Sequence, residues 1–265
     1  MNKLQRFFPG LQSYAVLYLV FLYLPVLLLP LFSFNDGTIV AFPLKGFTLK
    51  WYGQLGEADT LIQALFNSLF VGAVSAIVST SFGLFAARAY ARYRFKGREV
   101  SEGLVMLPLV IPGIIVASSM LVLFLSIGLQ PSLMTVILGH VFLAIPFAVS
   151  IMKSAFDEFD QSLEEAAFDL GETVVGTFRR VTLPIVAPGI IASLLVTFTV
   201  SFDEFVLAFF LSGNQPTLPV YIWSQIRFPA KLPSTLALGS LLLLFSVLLL
   251  LTAEYFRRRS TKSSV

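Results

Sequence analysis

Six stretches of this chain, at about 14–34, 65–87, 103–126, 132–152, 185–212 and 235–255, each run for twenty residues or more with almost no charge. A helix rises about 1.5 Å per residue, so roughly 20 apolar residues cross about 30 Å of hydrocarbon. In lipid every backbone N–H and C=O must be paired inside the segment, and an α-helix does this. The expectation is an all-α integral membrane protein with six transmembrane helices, a single transmembrane domain over residues 1–265. The first stretch is too long for the apolar region of a signal peptide, and no small-x-small cleavage site follows it. Composition agrees: 57% of residues are apolar and 12% charged, against about a quarter charged in soluble domains.

The same composition excludes several kinds of chemistry. The chain has no Cys, which removes thiol nucleophiles and Cys-ligated zinc. One His and no HExxH leave a metallohydrolase without ligands, so no metal site is expected. A sequence pI near 9.2 can signal nucleic acid, but here the basic residues lie between the apolar runs, where they set membrane orientation. Lys3, Arg6, the run Arg88, Arg92, Arg94, Lys96 and Arg98, then Lys153, Arg179, Arg180, and finally Arg257, Arg258, Arg259 and Lys262 put fourteen on one side. Lys45, Lys50, Arg227 and Lys231 put four on the other. Both termini are therefore expected in the cytoplasm. The run Arg88–Arg98 reads as a positive-inside loop, in contact with anionic headgroups.

The segment from Phe156 to Pro188 carries the strongest signal. It holds seven of the fifteen acids: Asp157, Glu158, Asp160, Glu164, Glu165, Asp169 and Glu172. Leu163, Ala167, Leu170, Val174 and Phe178 recur at helical spacing, with Glu165, Glu172 and Arg179 opposite. Gly171 separates two short helical pieces and permits a change of direction. A helix lying on inner-leaflet lipid would carry a basic polar face, whereas this face is acidic, so a protein partner fits better.

Glu165-Ala166-Ala167, three residues to Gly171, nine more to Val181, then Leu183-Pro184 resembles the EAA signature of bacterial ABC importer permeases. The family pattern is EAA, x3, G, x9, I, x, L, P, and Val181 for Ile is the one departure. The resemblance extends along the chain, and it is nearest to the second membrane subunit of the spermidine/putrescine class. Lys50-Trp51-Tyr52, Arg92-Tyr93-Arg94-Phe95-Lys96-Gly97 and Ser201-Phe202-Asp203-Glu204 support it. It implies a type I ABC importer permease fold, like that of methionine importers, in the bacterial inner membrane. Spans 2–6 would form its core, and span 1 would wrap a partner permease. It also implies a coupling loop over about 154–184, whose helical part at 160–177 sits in a groove of a cytoplasmic ATPase. Glu165, Ala166, Ala167, Gly171, Leu183 and Pro184 would be the ATPase-coupling residues. The implied partners are a second permease, different in this class, two ATPase subunits and a periplasmic solute-binding protein. The chain has no GxxxxGK[ST] loop, so no cofactor is expected in it, and ATP with Mg would bind the ATPase.

Asp203 and Glu204 lie within the fifth stretch, about 13 Å below its outer end. Each costs about 2.5–3.5 kcal/mol facing lipid, and acids this costly mark functional sites. A cationic substrate would complete such a site, with Trp223 and Tyr221 offering ring faces for cation–π contact. Three other readings stand beside it: protonated carboxylates, hydrogen bonds to the partner subunit, or a helix break used in gating. His140 in the fourth stretch reads first as a packing histidine, and second as a partner for the acids. Pro108–Gly113 is expected to kink the third span. The expected function is half of an importer's pathway for a small organic cation, a polyamine such as putrescine or spermidine, with no covalent chemistry in this chain. The alternatives are a permease for another small solute, or a stand-alone secondary transporter using Asp203 or Glu204 as a proton or cation site. An intramembrane hydrolase is poorly served by one His and two adjacent acids.

Overall fold

The computed structural model describes residues 9–262, with side chains over 13–248; Lys3 and Arg6 lie outside the described residues, as do the side chains of Arg257–Arg259 and Lys262. In chain order the helices are α1 (Pro9–Ser33), α2 (Lys50–Leu55), α3 (Asp59–Arg92), α4 (Arg98–Met106), α5 (Gly113–Ser126), α6 (Leu133–Asp157), α7 (Ser162–Asp169), α8 (Val174–Thr177), α9 (Leu183–Asp203), α10 (Val206–Leu211), α11 (Leu218–Ile226) and α12 (Leu232–Lys262). Among the described residues the β pairing is one isolated antiparallel bridge, Asn35 with Phe47. Four of the apolar stretches are unbroken helices: α1, α3, α6 and α12.

The third and fifth stretches are broken. Arg98–Leu109 and Gly113–Ser126 meet at 99°, so the expected kink is a corner. Pro112 lacks a backbone donor and sits extended at φ −54°, ψ 129°, and it disfavours helix at Ile111 before it. The span expected over 103–126 is thus two pieces, and α5 with 14 residues reaches only about 21 Å. The fifth stretch, expected as one helix over 185–212, stops at Asp203. Glu204 turns extended at φ −72°, ψ 113°, and helix resumes in α10.

The chain forms two compact units, Met1–Asp59 with Ile222–Val265, and Thr60–Tyr221. In the first, α1 packs along α12, and the loop after α1 folds back on itself. The buried Trp51 donates its indole N–H to the Asn35 carbonyl at 2.8 Å, and Lys45 donates its backbone N–H to the Asn35 side chain at 2.9 Å. Ser33 and Tyr52 share a hydrogen bond of 2.6 Å.

The second unit is built on close helix crossings at small residues. A Cβ added at Gly83 of α3 would come within 2.7 Å of the Ala148 backbone of α6. One added at Gly189 of α9 would come within 2.5 Å of the Ala155 methyl. Apolar driving force is weak between helices in lipid, so close backbone approach and interhelical hydrogen bonds do the holding. Thr80 of α3 accordingly bonds Ser193 of α9 at 3.0 Å and Thr197 at 3.4 Å, all buried. Two apolar clusters flank this polar seam. One gathers Val71, Phe124, Val136, Leu207 and Leu211, the other Leu84, Met152, Phe156, Phe159 and Val186. The six-residue turn between α5 and α6 is pinned by Ser132 and Thr135, which both donate to the Leu211 carbonyl, at 2.9 and 2.8 Å.

Candidate functional site

The second apolar cluster carries the segment that the EAA signature singles out. Asp160 opens it: its carboxylate accepts the Ser162 backbone N–H at 3.0 Å, and these bonds from Ser162 hold the carboxyl below its usual range. α7 follows with Glu164, Glu165, Ala166 and Ala167. At its end Gly171 takes φ +83°, the left-handed region open to glycine. The Gly171 N–H reaches the Phe168 carbonyl at 2.9 Å and the Glu172 N–H the Ala167 carbonyl at 3.0 Å, satisfying carbonyls that the helix end would leave bare. Thr173 caps α8 by accepting the Gly176 N–H at 3.1 Å. A π-helical turn, Phe178–Thr182, then leads into Leu183 and Pro184 in the first turn of α9. Pro184 is tolerated there because first-turn amides have no helical acceptor.

The apolar positions at helical spacing do not form a buried face. Leu163, Leu170 and Val174 are exposed, Leu170 at 89%, and Phe168 and Val175 join them. α7 is only eight residues long, and the turn at Gly171 re-aims the chain, so the two pieces share no common helical face. The exposed surface is mixed, with Glu165, Ala166 and Asp169 beside these apolar side chains.

The buried residue of α7 is an acid. Glu164 is 2% exposed, and its carboxylate accepts hydrogen bonds from Arg92 of α3 and from the Thr182 hydroxyl. Arg88, one turn earlier on α3, places its guanidinium 3.8 Å from the other carboxylate oxygen and 4.3 Å from the centre of the Phe178 ring. Arg88 and Arg92 therefore belong to this cluster and not to a free positive-inside loop. Neither this role nor that of Glu164 emerges from the sequence reading. The available signal was two arginines four residues apart at the end of an apolar helix, and two adjacent glutamates that a helix points about 100° apart.

The pathway candidates are more dispersed. Asp203 is the last residue of α9, exposed, with no hydrogen bond or ion pair among the described residues. Glu204, half-buried, accepts the Leu207 N–H at 3.0 Å and so caps α10. His140, fully buried, does not pair with either acid. Its Nδ1 shares a 2.7 Å hydrogen bond with Ser201, one turn before the break. Tyr221 is half-buried on α11, and Trp223 is exposed with the Arg227 guanidinium 6.0 Å from its ring centre.

Membrane-length helices held by a polar seam, a broken fifth span and a two-piece surface segment describe an integral membrane protein, and the comparisons give its class as a membrane permease. Residues 79–262 match the family described as the inner membrane component of binding-protein-dependent transport systems, and the chain belongs to that family. It is 33% identical over 245 residues, 92% of each chain, to the spermidine/putrescine transport system permease protein PotC of Escherichia coli (strain K12). It is 33% identical over 253 residues, 92% of this chain and 89% of the relative, to the putrescine transport system permease protein PotI of the same strain. A probable molybdenum ABC transporter permease of Haloferax volcanii is 37% identical over 207 residues, 71% of this chain and 76% of its own. The fold is that of type I ABC importer permeases. A bacterial alginate ABC transporter, solved with its pentasaccharide-bound periplasmic protein, aligns with a TM-score of 0.73 at 20% identity, over 98% of this chain and 99% of its own. The MetNI methionine ABC transporter in an inward-facing conformation aligns with a TM-score of 0.61 at 20% identity, over 75% and 95%. The chain is thus a multi-pass inner-membrane ABC importer permease, and a stand-alone secondary transporter is not favoured.

Proposed function

We propose that this permease is half of the translocation pathway of an ATP-driven polyamine importer. The observation that carries the cation is the break at Asp203–Glu204. There an exposed carboxylate with no hydrogen bond or ion pair among the described residues stands at the end of α9, and a second carboxylate caps the helix that follows. Away from bulk water such a group attracts ammonium and repels an oxyanion such as molybdate. The names of the PotC and PotI relatives agree with a polyamine cargo. The ring faces of Tyr221 and Trp223 are the candidates for cation–π contact with the substrate's ammonium groups.

In this reading the Lys and Arg asymmetry puts both termini and the coupling segment in the cytoplasm. Glu165, Ala166, Ala167 and Gly171, with exposed Leu170, Val174 and Val175, meet an ATPase subunit; Leu183 and Pro184 join the segment to α9. A second, different permease completes the pathway, and a periplasmic binding protein delivers the solute. Two ATPase subunits bind ATP and Mg. Closure of the ATPase pair moves the coupling segment and opens the cavity outward; hydrolysis resets it. This chain itself makes and breaks no covalent bond.

The test is uptake of labelled putrescine and spermidine by the complete transporter. Asp203→Asn should lower uptake at sub-saturating substrate by about tenfold, the worth of roughly 1.4 kcal/mol of charge attraction. Glu204→Gln should cost less, because the amide oxygen still caps α10. Normal uptake in Asp203→Asn, or molybdate uptake in place of polyamine, would discard the cation site.

A further inference from the structure

Three elements meet on one buried carboxylate. Glu164 comes from α7, Arg88 and Arg92 from the last two turns of α3, and Thr182 from the π-helical turn that feeds α9. An apolar cluster lies directly beneath, but apolar contact is non-directional and tolerates sliding. Charge-assisted hydrogen bonds fix both register and direction. A buried ionic group is weak evidence for stability and better evidence for one specified arrangement. π-turns also gather at functional positions, and this one brings the Thr182 hydroxyl onto Glu164.

We infer that Glu164 is a positioning residue that locks the coupling segment to α3 and α9, so that a push on α7 moves both helices together. The inference rests on the importer reading above. α9 is 21 residues, a rod of about 31 Å, and it ends at Asp203. The lock at its foot therefore connects the ATPase-facing surface to the pathway carboxylates without a loop between them. Glu165, next in sequence, is exposed and in the importer reading meets the ATPase; Glu164 faces the chain's own helices. The two acids divide the work of contact and transmission.

The experiment uses the complete transporter in vesicles with its binding protein. It compares wild type with Glu164→Gln, which keeps size and an acceptor oxygen, and with Thr182→Val, which leaves the ion pair intact. ATPase co-purification, ATP hydrolysis and labelled polyamine uptake are measured on each preparation. The expected result is ATPase association at the wild-type level, with uptake per ATP hydrolysed falling about tenfold in Glu164→Gln and about threefold in Thr182→Val. An unchanged ratio of uptake to hydrolysis in both variants overturns the lock. So does an uptake loss that only mirrors lost assembly, because that is the signature of a folding role. Failure of the wild-type complex to link hydrolysis to uptake overturns the importer reading itself, and is seen before any variant is compared.

Discussion

Gly171 shows how much a single backbone angle decides. Its φ of +83° lets α7 end and the chain turn toward α8. A Cβ in that region costs about 1–2 kcal/mol, although nothing lies within 4 Å of where it would stand. Gly171→Ala should therefore weaken ATPase binding about tenfold through strain alone, read by titrating the ATPase onto purified permease. Unchanged affinity would mean the turn is not needed for docking. Gly171 was legible in the sequence because a glycine between short helical pieces has few other uses. Glu164 was not. It has the same chemistry as Glu165, and which acid is buried depends on how α7 is rotated against α3, a property of docking and not of composition. Arg88 and Arg92 were masked differently, since basic residues after an apolar run already have an explanation in membrane orientation.

At the scale of elements, the α3–α6 crossing is set by Gly83 against Ala148. A Cβ at Gly83 would stand 2.7 Å from the Ala148 backbone, which cannot rotate away. Gly83→Val should destabilise the protein by about 1–3 kcal/mol, the usual cost of overpacking. Gly103 of α4 has open space around it, so Gly103→Ala should be neutral or stabilising by about 0.5–1 kcal/mol. Thermal unfolding in detergent checks both, and equal midpoints for the two variants would show that the crossing has room to give. The long helices were legible from length and apolarity. The corner at Pro112 and the stop at Asp203 are legible from the sequence only as a kink and as one reading among four. Apolar residues continue through both breaks, so hydropathy registers membrane depth and is blind to direction.

Across the whole molecule, the signature in the loop before α9 made the family legible, because its glycine, small residues and Leu-Pro serve geometry that few other proteins need. The cargo was less legible, since cation recognition needs only a few groups on a broken helix. The two tryptophans differ in a way that has an optical consequence. Trp51 is buried with its indole N–H bonded to a carbonyl, while Trp223 is exposed beside Arg227. Emission from the first should be blue-shifted and shielded from acrylamide, and from the second red-shifted and readily quenched. Trp51→Phe and Trp223→Phe should separate the two spectra, and equal quenching of both single-tryptophan forms would contradict the burial difference. With only two indoles in the chain, one of them the candidate Trp223, the permease carries its own fluorophores for a test of substrate contact. Added putrescine should then change the emission of Trp223 and leave that of Trp51 as it was.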